Sequence, residues 1–264
     1  MKIVVCAKQV PDTTEVKLDP KTGTLIRDGV PSIINPDDKA GIEAALQLKE
    51  AVPGSTVTVI SMGPPQADVA LREALAMGCD DAILVTDRAF GGADTWATSS
   101  TIAAALKKVD YDVIITGRQA IDGDTAQVGP QIAEHLGLPQ VSYAEKVEVD
   151  GEYLKVQRQF EDRYHIIKVK MPCVITALAE LAQPRYMTVS GVVAAYDEKS
   201  VTVWGLEDLK DTIDEANIGL KGSPTRVKQS FTKPVKPAGT VLKDLTPAEA
   251  VDAIVAKLKE KYII

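Results

Sequence analysis

The most informative segment of the chain is Tyr111-Asp-Val-Ile-Ile-Thr-Gly-Arg-Gln-Ala-Ile-Asp-Gly-Asp-Thr-Ala-Gln-Val-Gly-Pro-Gln-Ile-Ala-Glu-His-Leu-Gly137. Its apolar run, residues 113–115, stops at Gly117, and a polar loop containing Gly123 follows. A helical pattern resumes near Ala126 and ends at Gly137. This order predicts a buried strand, a loop at the carboxyl end of that strand, and a helix that begins beside it.

The same loop has the chemistry of a nucleotide site. The free N–H groups of a helix start and the positive end of its dipole suit a phosphate, here on the 126–129 backbone. Asp122 and Asp124 suit a sugar diol, because a carboxylate accepts hydrogen bonds from hydroxyls and repels phosphate. Pro130 fits the first turn of a helix.

A purely structural interpretation stays open at this point. Asp124 or Thr125 would then only cap the helix. The chain contains neither G-x-G-x-x-G nor G-x-x-x-x-G-K-[ST], which disfavours a standard dinucleotide fingerprint and a Walker P-loop.

The first half of the chain alternates between two periodicities. Continuous apolar runs at 2–7, 56–62, 82–86 and 112–116 predict strands buried on both faces of a parallel sheet. Helical patterns fill the gaps at 37–51, 66–77, 94–108 and 126–136. Asp37 or Asp38, Asp68 and Asp94 are the candidate N-caps. The pattern predicts an α/β fold with a doubly wound, mostly parallel sheet and ligands at its carboxyl edge.

After Pro139 the pattern changes. Residues 147–156 predict a β-hairpin around Asp150-Gly151, and 166–169 a further strand. Periodicity is lost from about Ser200, and an extended arm at 222–239 precedes an amphipathic helix at 245–262. We predict a nucleotide-binding domain at 1–199, with residues 200–264 forming an arm and C-terminal helix that pack on a partner chain.

Composition limits the possible functions. A net charge of −7 disfavours a nucleic-acid or anionic-membrane binder, and no apolar run reaches membrane-spanning length, so we expect no membrane insertion and a cytoplasmic protein. The three cysteines and two histidines have no metal-binding or triad spacing. We therefore predict no metal site and no catalytic side chain of a hydrolase.

Several segments together resemble the beta subunit of an electron-transfer flavoprotein. The resemblance covers nearly the whole chain, and 117–129 is its most specific part. Its other segments are 5–8, 32–36, 74–78 and 184–186. The stretch 156–176 resembles the family signature but departs at Arg163-Tyr-His165.

The resemblance implies that this subunit holds AMP or FAD at the sheet edge. Carried over by position, the contacts fall on Cys6, Asn35, Pro36, Asp37, Asp38, Met62, Asp122, Gly123, Asp124, Thr125, Ala126, Gln127, Val128, Gly129, Pro130, Gln131, Ile132 and Ala133. Segments 11–19, 35–38 and 87–98 resemble the bifurcating branch, which holds FAD and oxidises NADH. That similarity suggests a nicotinamide site at Arg88, Phe90, Gly91, Gly92, Ala93, Asp94 and Thr95, although the same segment is also typical of a capped surface loop.

The implied function is electron bifurcation. NADH would reduce the flavin, and its electrons would go to ferredoxin or flavodoxin and, through an alpha-subunit FAD, to an acyl-CoA dehydrogenase. The stretch 184–195 resembles the family's recognition loop, which places docking on Pro184, Arg185, Tyr186 and Val189. The alternatives are a housekeeping member with AMP and no nicotinamide site, and a stand-alone ATP-binding module. An ATP-pyrophosphatase-like enzyme is a third, but the chain lacks the S-G-G-x-D-S loop of that class.

Overall fold

The computed structural model describes residues 1–12, 31–228 and 236–264. The chain divides into two compact units, Met1–Lys228 and Gln229–Ile264. The first part of the 11–19 segment and the ends of the 222–239 arm are described, but residues 13–30 and 229–235 lie outside the described part.

The first unit contains strands and helices that alternate from β3 to β7. The strands are β1 (Lys2–Cys6), β2 (Gln9–Pro11), β3 (Ser32–Ile34), β4 (Thr56–Met62), β5 (Asp81–Val85), β6 (Val113–Gly117), β7 (Gln140–Asp150), β8 (Tyr153–Gln159), β9 (Tyr164–Lys170), β10 (Cys173–Ala177) and β11 (Val201–Trp204). The helices are α1 (Pro36–Ala51), α2 (Asp68–Met77), α3 (Thr95–Leu106), α4 (Val128–Leu136), α5 (Val189–Asp197), α6 (Leu206–Leu209) and α7 (Gly219–Gly222).

One nine-stranded sheet organises this unit, in the order β11-β5-β4-β1-β6-β10-β7-β8-β9. Every pair from β11 to β7 is parallel, and β8 and β9 extend the sheet antiparallel. The chain runs outward from β1 through β4 to β5 and then returns to place β6 on the other side of β1. The strand order therefore reverses beside β1, which is where open α/β sheets bind ligands.

Helices cover both faces of the middle of the sheet, so strands β1, β5, β6 and β10 are buried on both sides. Ile3 and Val5 belong to the same core cluster as Leu46 and Leu71, from α1 and α2. Val4 and Cys6 join the opposite cluster, with Ile102, Leu106 and Ile132 from α3 and α4. Adjacent residues of β1 thus face opposite layers. The doubly wound α/β prediction is confirmed.

Some local expectations were wrong. Helix α1 begins after Asn35 with no side-chain cap, and α2 begins after Ala67. The predicted N-caps Asp37, Asp38 and Asp68 therefore do not occupy the cap positions. Pro36 occupies the first turn of α1, which suffices to start it without a side-chain acceptor.

The region after residue 199 is more regular than the sequence indicated. Strand β11 pairs in parallel with β5, and the predicted boundary at 199 lies inside the first compact unit. Four residues at a sheet edge are too few to produce a recognisable period.

The second unit contains helix α8 (Pro247–Glu260), close to the predicted 245–262. Thr246 and Glu249 form a reciprocal capping box at its start. Val251 and Ile254, three residues apart on one side of α8, are exposed. Among the helices of the described residues, none has the length and apolarity needed to cross a membrane.

Candidate functional site

A cleft of about 1030 Å³ opens at the carboxyl edge of the sheet, where β1, β4, β5 and β6 end and α3 and α4 begin. It contains residues from both predicted cofactor sets. From the FAD or AMP set the lining residues are Cys6, Asp38, Met62, Gly123, Asp124, Thr125, Ala126, Gln127, Val128 and Gly129. From the NADH set they are Arg88, Phe90, Gly91, Gly92, Ala93, Asp94 and Thr95.

The other positions of the first set lie around the cleft rather than on it. They are Asn35, Pro36, Asp37, Asp122, Pro130, Gln131, Ile132 and Ala133. Ile132 and Ala133 are buried in the core between α4 and the sheet. These two side chains therefore pack α4 against the sheet.

The backbone at the start of α4 has an unusual geometry. Ala126 has φ 53, in the left-handed region, and Gln127 returns to φ −108 and ψ −31. A left-handed residue followed by a right-handed one turns successive N–H groups toward one point, the geometry called a nest. The N-cap residue, Gln127, makes no side-chain hydrogen bond to this helix start. Its N–H donors are therefore directed to the cleft without an acceptor from the helix's own cap residue.

Gly129 allows α4 to approach the strands closely. A Cβ at this position would stand 2.4 Å from Oγ1 of Thr116 and 2.8 Å from Cγ2 of Thr176. Only glycine fits without a shift of the helix or of these two strand ends. Gly129 thus allows the start of α4 to lie close to the strand ends at which the cleft opens.

Buried polar side chains hold the loop from below. Asn35 donates from Nδ2 to the Gln119 carbonyl at 2.8 Å and accepts from the Ile121 N–H at 3.0 Å. Asp38 accepts from the N–H groups of Lys8 and Gly117, both at 2.8 Å. Burial raises the pKa of Asp38 to about 7, against the lowering effect of these two donors.

The two aspartates of the loop have different roles. Asp122 is almost buried and pairs with Nζ of Lys8 at 2.7 Å. Asp124 is exposed, has φ 54, and lines the cleft. Asp124 is thus the one of the two carboxylates that lies on the cleft, and the Lys8–Asp122 pair fixes the loop to the end of β1.

The start of α3 differs from that of α4. Asp94 caps it by accepting from the Ala97 N–H at 3.0 Å, as the sequence indicated. The same carboxylate accepts from the N–H and hydroxyl of Thr225, at 2.9 and 2.7 Å. Burial alone would raise the pKa of Asp94, but these donors outweigh it and lower the pKa. Thr95 donates to Oε1 of Gln127 at 2.9 Å, which links the starts of α3 and α4.

The segment before α3 brings a cation and two glycines to the cleft. Asp87 accepts from the N–H groups of Ala89 and Leu206 and so holds the turn that carries Arg88. The Arg88 side chain is exposed at the cleft. Gly92 has φ 73, and a Cβ there would meet Leu220 at 3.2 Å. The turn therefore requires glycine at residue 92.

Cys6, the cysteine among the described residues that line the cleft, does not have the features of a nucleophile. Burial, and to a lesser degree Asp38, raises the pKa of the Cys6 thiol, so the thiol is neutral near pH 7 and acts as an apolar wall beside Met62. In the described ranges, no three His, Cys, Asp or Glu side chains come together as metal ligands.

The predicted docking segment forms a loop and helix α5. Tyr186 is 97 % exposed and Val189 84 % exposed. Arg185 points inward instead: Nε donates to Glu43 at 2.8 Å and an Nη atom donates to Glu50 at 2.7 Å. Arg185 therefore anchors the loop on α1.

Sequence reasoning did not identify Lys8, Gln119 and Thr98, which also belong to the cleft. Lys8 follows β1 directly, and that position relative to the carboxyl edge was the available signal. Nothing local in the sequence indicates its pairing with Asp122, 114 positions away.

Comparison with known proteins agrees with this architecture. The family model described as "Electron transfer flavoprotein domain" matches residues 22–207. Over the full length of both chains, the protein is 61% identical to "Electron transfer flavoprotein subunit beta" of Clostridium acetobutylicum and 54% identical to "Caffeyl-CoA reductase-Etf complex subunit CarD" of Acetobacterium woodii. It is 49% identical, again over both full lengths, to "Acryloyl-CoA reductase electron transfer subunit gamma" of Anaerotignum propionicum.

Proposed function

Since this chain belongs to the electron transfer flavoprotein family as a beta subunit, we propose that it binds FAD in the cleft and receives electrons from NADH. We further propose that it pairs with an alpha subunit, through whose FAD one electron reaches an acyl-CoA dehydrogenase while the other goes to ferredoxin or flavodoxin. The observation that carries the proposal is the single cleft of about 1030 Å³ shared by the starts of α3 and α4.

The residues around α4 fit the phosphate and ribose of the cofactor. The nest at Ala126-Gln127 and the uncapped helix start supply N–H donors for a diphosphate. Asp124 offers its carboxylate to the ribose, and Met62 and Cys6 give apolar surface for the adenine. AMP would use the same contacts, so these residues alone do not separate the two cofactors.

The size of the cleft favours FAD. Its volume lies at the upper end of the roughly 300–1,000 Å³ typical of ligand pockets, and it continues from the α4 side to the wall formed by Val85, Arg88 and Phe90. This second half suits a flavin ring and an approaching nicotinamide. FAD bound there would supply hydride acceptance and one-electron delivery, which the side chains of the cleft do not provide.

The nicotinamide dinucleotide is proposed to contact Arg88 and the backbone at Gly91-Gly92. Because Asp94 already caps α3, an incoming pyrophosphate would meet a carboxylate at that helix start. Arg88 instead offers a guanidinium, which binds phosphates in a bidentate geometry. The rest of the proposed set, Phe90, Ala93, Asp94 and Thr95, shapes this wall.

The decisive experiment is to purify the heterodimer and count its flavins. We expect two FAD per heterodimer and flavin bleaching on anaerobic titration with NADH. Arg88→Gln should raise the KM for NADH about tenfold while FAD content stays at two, with Arg88→Lys as the charge-retaining control. One FAD, one AMP and no response to NADH would support the housekeeping alternative instead.

Pairing with the alpha subunit is proposed to use the second compact unit. Helix α8 exposes Val251 and Ile254 on one side, an arrangement typical of a helix that packs on another surface. Val251→Asp with Ile254→Asp should weaken co-purification of alpha. Asp252→Lys, on the same helix, is the control. Unchanged heterodimer yield in the double variant would contradict this part of the proposal.

Branching of the electrons needs its own measurement. With NADH and an acyl-CoA oxidant, ferredoxin should be reduced only while the dehydrogenase is also turning over. If NADH reduces ferredoxin without the dehydrogenase, or if ferredoxin is not reduced under any condition, the function would be electron transfer without bifurcation.

A further inference from the structure

Residues 217–223, which we call the strap, pack against the 88–94 segment and do not themselves line the cleft. Near the start of the strap, Ile218 is buried in the same core cluster as Phe90. At its end, Ser223 is buried as well. The strap is therefore fixed in the interior near both ends, next to the segment that we propose for the nicotinamide dinucleotide.

Gly219 lets the strap approach the backbone of this segment closely. Its φ of 56 lies in the left-handed region, and a Cβ there would stand 2.1 Å from the Ala89 carbonyl oxygen and 3.3 Å from that of Gly91. The next residue, Leu220, donates its N–H to the same Gly91 carbonyl at 3.0 Å. Glycine is therefore required at residue 219 both for its backbone conformation and for lack of space.

Ser223 connects the strap to the residue that precedes α3. Its Oγ accepts from the Asp94 N–H at 2.8 Å and donates to the Gly219 carbonyl at 2.7 Å. Gly92, with φ 73, lies between the two attachments at Gly91 and Asp94. Glycine backbones have many accessible conformations, so contacts from outside must select one. The strap supplies such contacts on both sides of Gly92.

We infer that the strap positions the 91–94 backbone for the nicotinamide dinucleotide, so that Gly219 and Ser223 set the affinity for NADH without lining its site. This rests on the proposed function and adds positioning residues outside the cleft. A site that is in its binding-competent form for only part of the time binds its ligand more weakly in proportion. A loosened strap should therefore raise the NADH concentration needed for half-saturation and leave the rate at saturation unchanged.

The test uses the FAD-loaded heterodimer and follows flavin reduction by anaerobic stopped-flow at increasing NADH. Ser223→Ala should raise the half-saturating NADH concentration about fivefold, as expected for one lost hydrogen bond, and keep the limiting rate within about twofold. Gly219→Ala pushes the strap away from the Ala89 carbonyl and should raise the half-saturating concentration by more than about tenfold. Both variants should keep two FAD per heterodimer.

Two control variants separate positioning from general destabilisation. Gly151→Ala places an alanine at a φ of 64 with no neighbour among the described residues within 4 Å of the new Cβ. It reproduces the backbone strain of Gly219→Ala without the close contact. Ser55→Ala removes another buried serine hydroxyl, which donates to the Val52 carbonyl at 2.6 Å. Both controls should lose stability and keep the wild-type half-saturating concentration of NADH.

Hydrogen exchange tests the positioning before NADH is added. In Ser223→Ala the Asp94 N–H loses its acceptor, so the amides at 91–94 should exchange about fivefold faster than in the wild-type heterodimer. Unchanged exchange, unchanged half-saturation in Ser223→Ala, or an equal rise in the two controls would overturn the inference. A wild-type heterodimer that holds FAD but is not reduced by NADH would instead overturn the proposed function and this inference with it.

Discussion

Helices α3 and α4 begin at the same edge of the same sheet, and they begin differently. Asp94 satisfies the start of α3 from within the chain, whereas the N-cap residue of α4, Gln127, makes no side-chain capping bond and follows a left-handed alanine. A left-handed Ala126 costs free energy that the helix itself does not recover. Because its N-cap side chain leaves the helix N–H groups free, the start of α4 is where we propose that the cofactor's phosphate binds.

The largest expected effect concerns Asp38, which holds the loop before α4. Its pKa of about 7 lies above the ordinary 3.8. Between these two pH values the folded protein therefore keeps a proton on Asp38 that the unfolded chain has released. Stability from this group is therefore present below pH 4 and is lost as pH rises from about 4 to 7, by at most about 4 kcal/mol. Asp38→Asn should remove this slope. Parallel denaturation curves of the two proteins between pH 5 and 8 would contradict the assignment.

The next effect tests why α4 stands where it does. Gly129→Ala places a methyl group against Thr116 and Thr176 and should destabilise the fold by about 1–3 kcal/mol. The shifted helix start should also bind nucleotide less tightly. Gly123→Ala is the matched control, since its Cβ has no neighbour within 4 Å. Equal unfolding free energies for the two variants would show that a methyl group at residue 129 fits without displacing α4.

A third variant changes the charge at the start of α4 alone. Gln127→Glu keeps an oxygen for the Thr95 hydroxyl but adds a negative charge beside the proposed phosphate. Cofactor affinity should fall about tenfold, or about 1.4 kcal/mol, with no loss of thermal stability. Gln127→Ala separates the charge from the lost contact. If Gln127→Glu binds as tightly as wild type, α4 is not the anion site and the comparison fails.

The smallest effect is expected at α3. Asp94→Ala removes the cap and should cost about 1 kcal/mol of stability, measured by denaturation, without loss of FAD. Asp94→Asn keeps a capping oxygen and removes the charge, so the KM for NADH should change by less than about twofold. A much lower KM in Asp94→Asn would reveal that α3 also receives an anion once its carboxylate is gone.

The sequence predicted those parts of the fold that local chemistry controls. Continuous Val/Ile runs identified β1, β4, β5 and β6, and Asp94 was a recognisable cap. The loop after β6 was predicted as a nucleotide site from its own residues, and the structure places this loop on the cleft. Helix α5 was missed because its apolar side faces outward, so its pattern does not indicate a buried helix.

Long-range pairings account for what remained unpredicted. Asp122 was predicted as a cofactor contact and pairs with Lys8, and Arg185 was predicted as a docking residue and pairs with Glu43 and Glu50. Both roles remain predictions. In both cases a charged side chain finds its partner only after the chain has folded. The type of residue was informative, but the direction in which it points depends on tertiary structure.

Strand β9, at the outer end of the sheet, affects the tendency of the free subunit to aggregate. A seven-residue edge strand exposes unpaired backbone groups on which a second chain can add a strand and begin to aggregate. Lys168 and Lys170 stand on this edge, each paired with a carboxylate, Asp150 and Glu152. A second copy adding in register would bring like charges together. We therefore expect these lysines to disfavour edge-to-edge pairing of two copies.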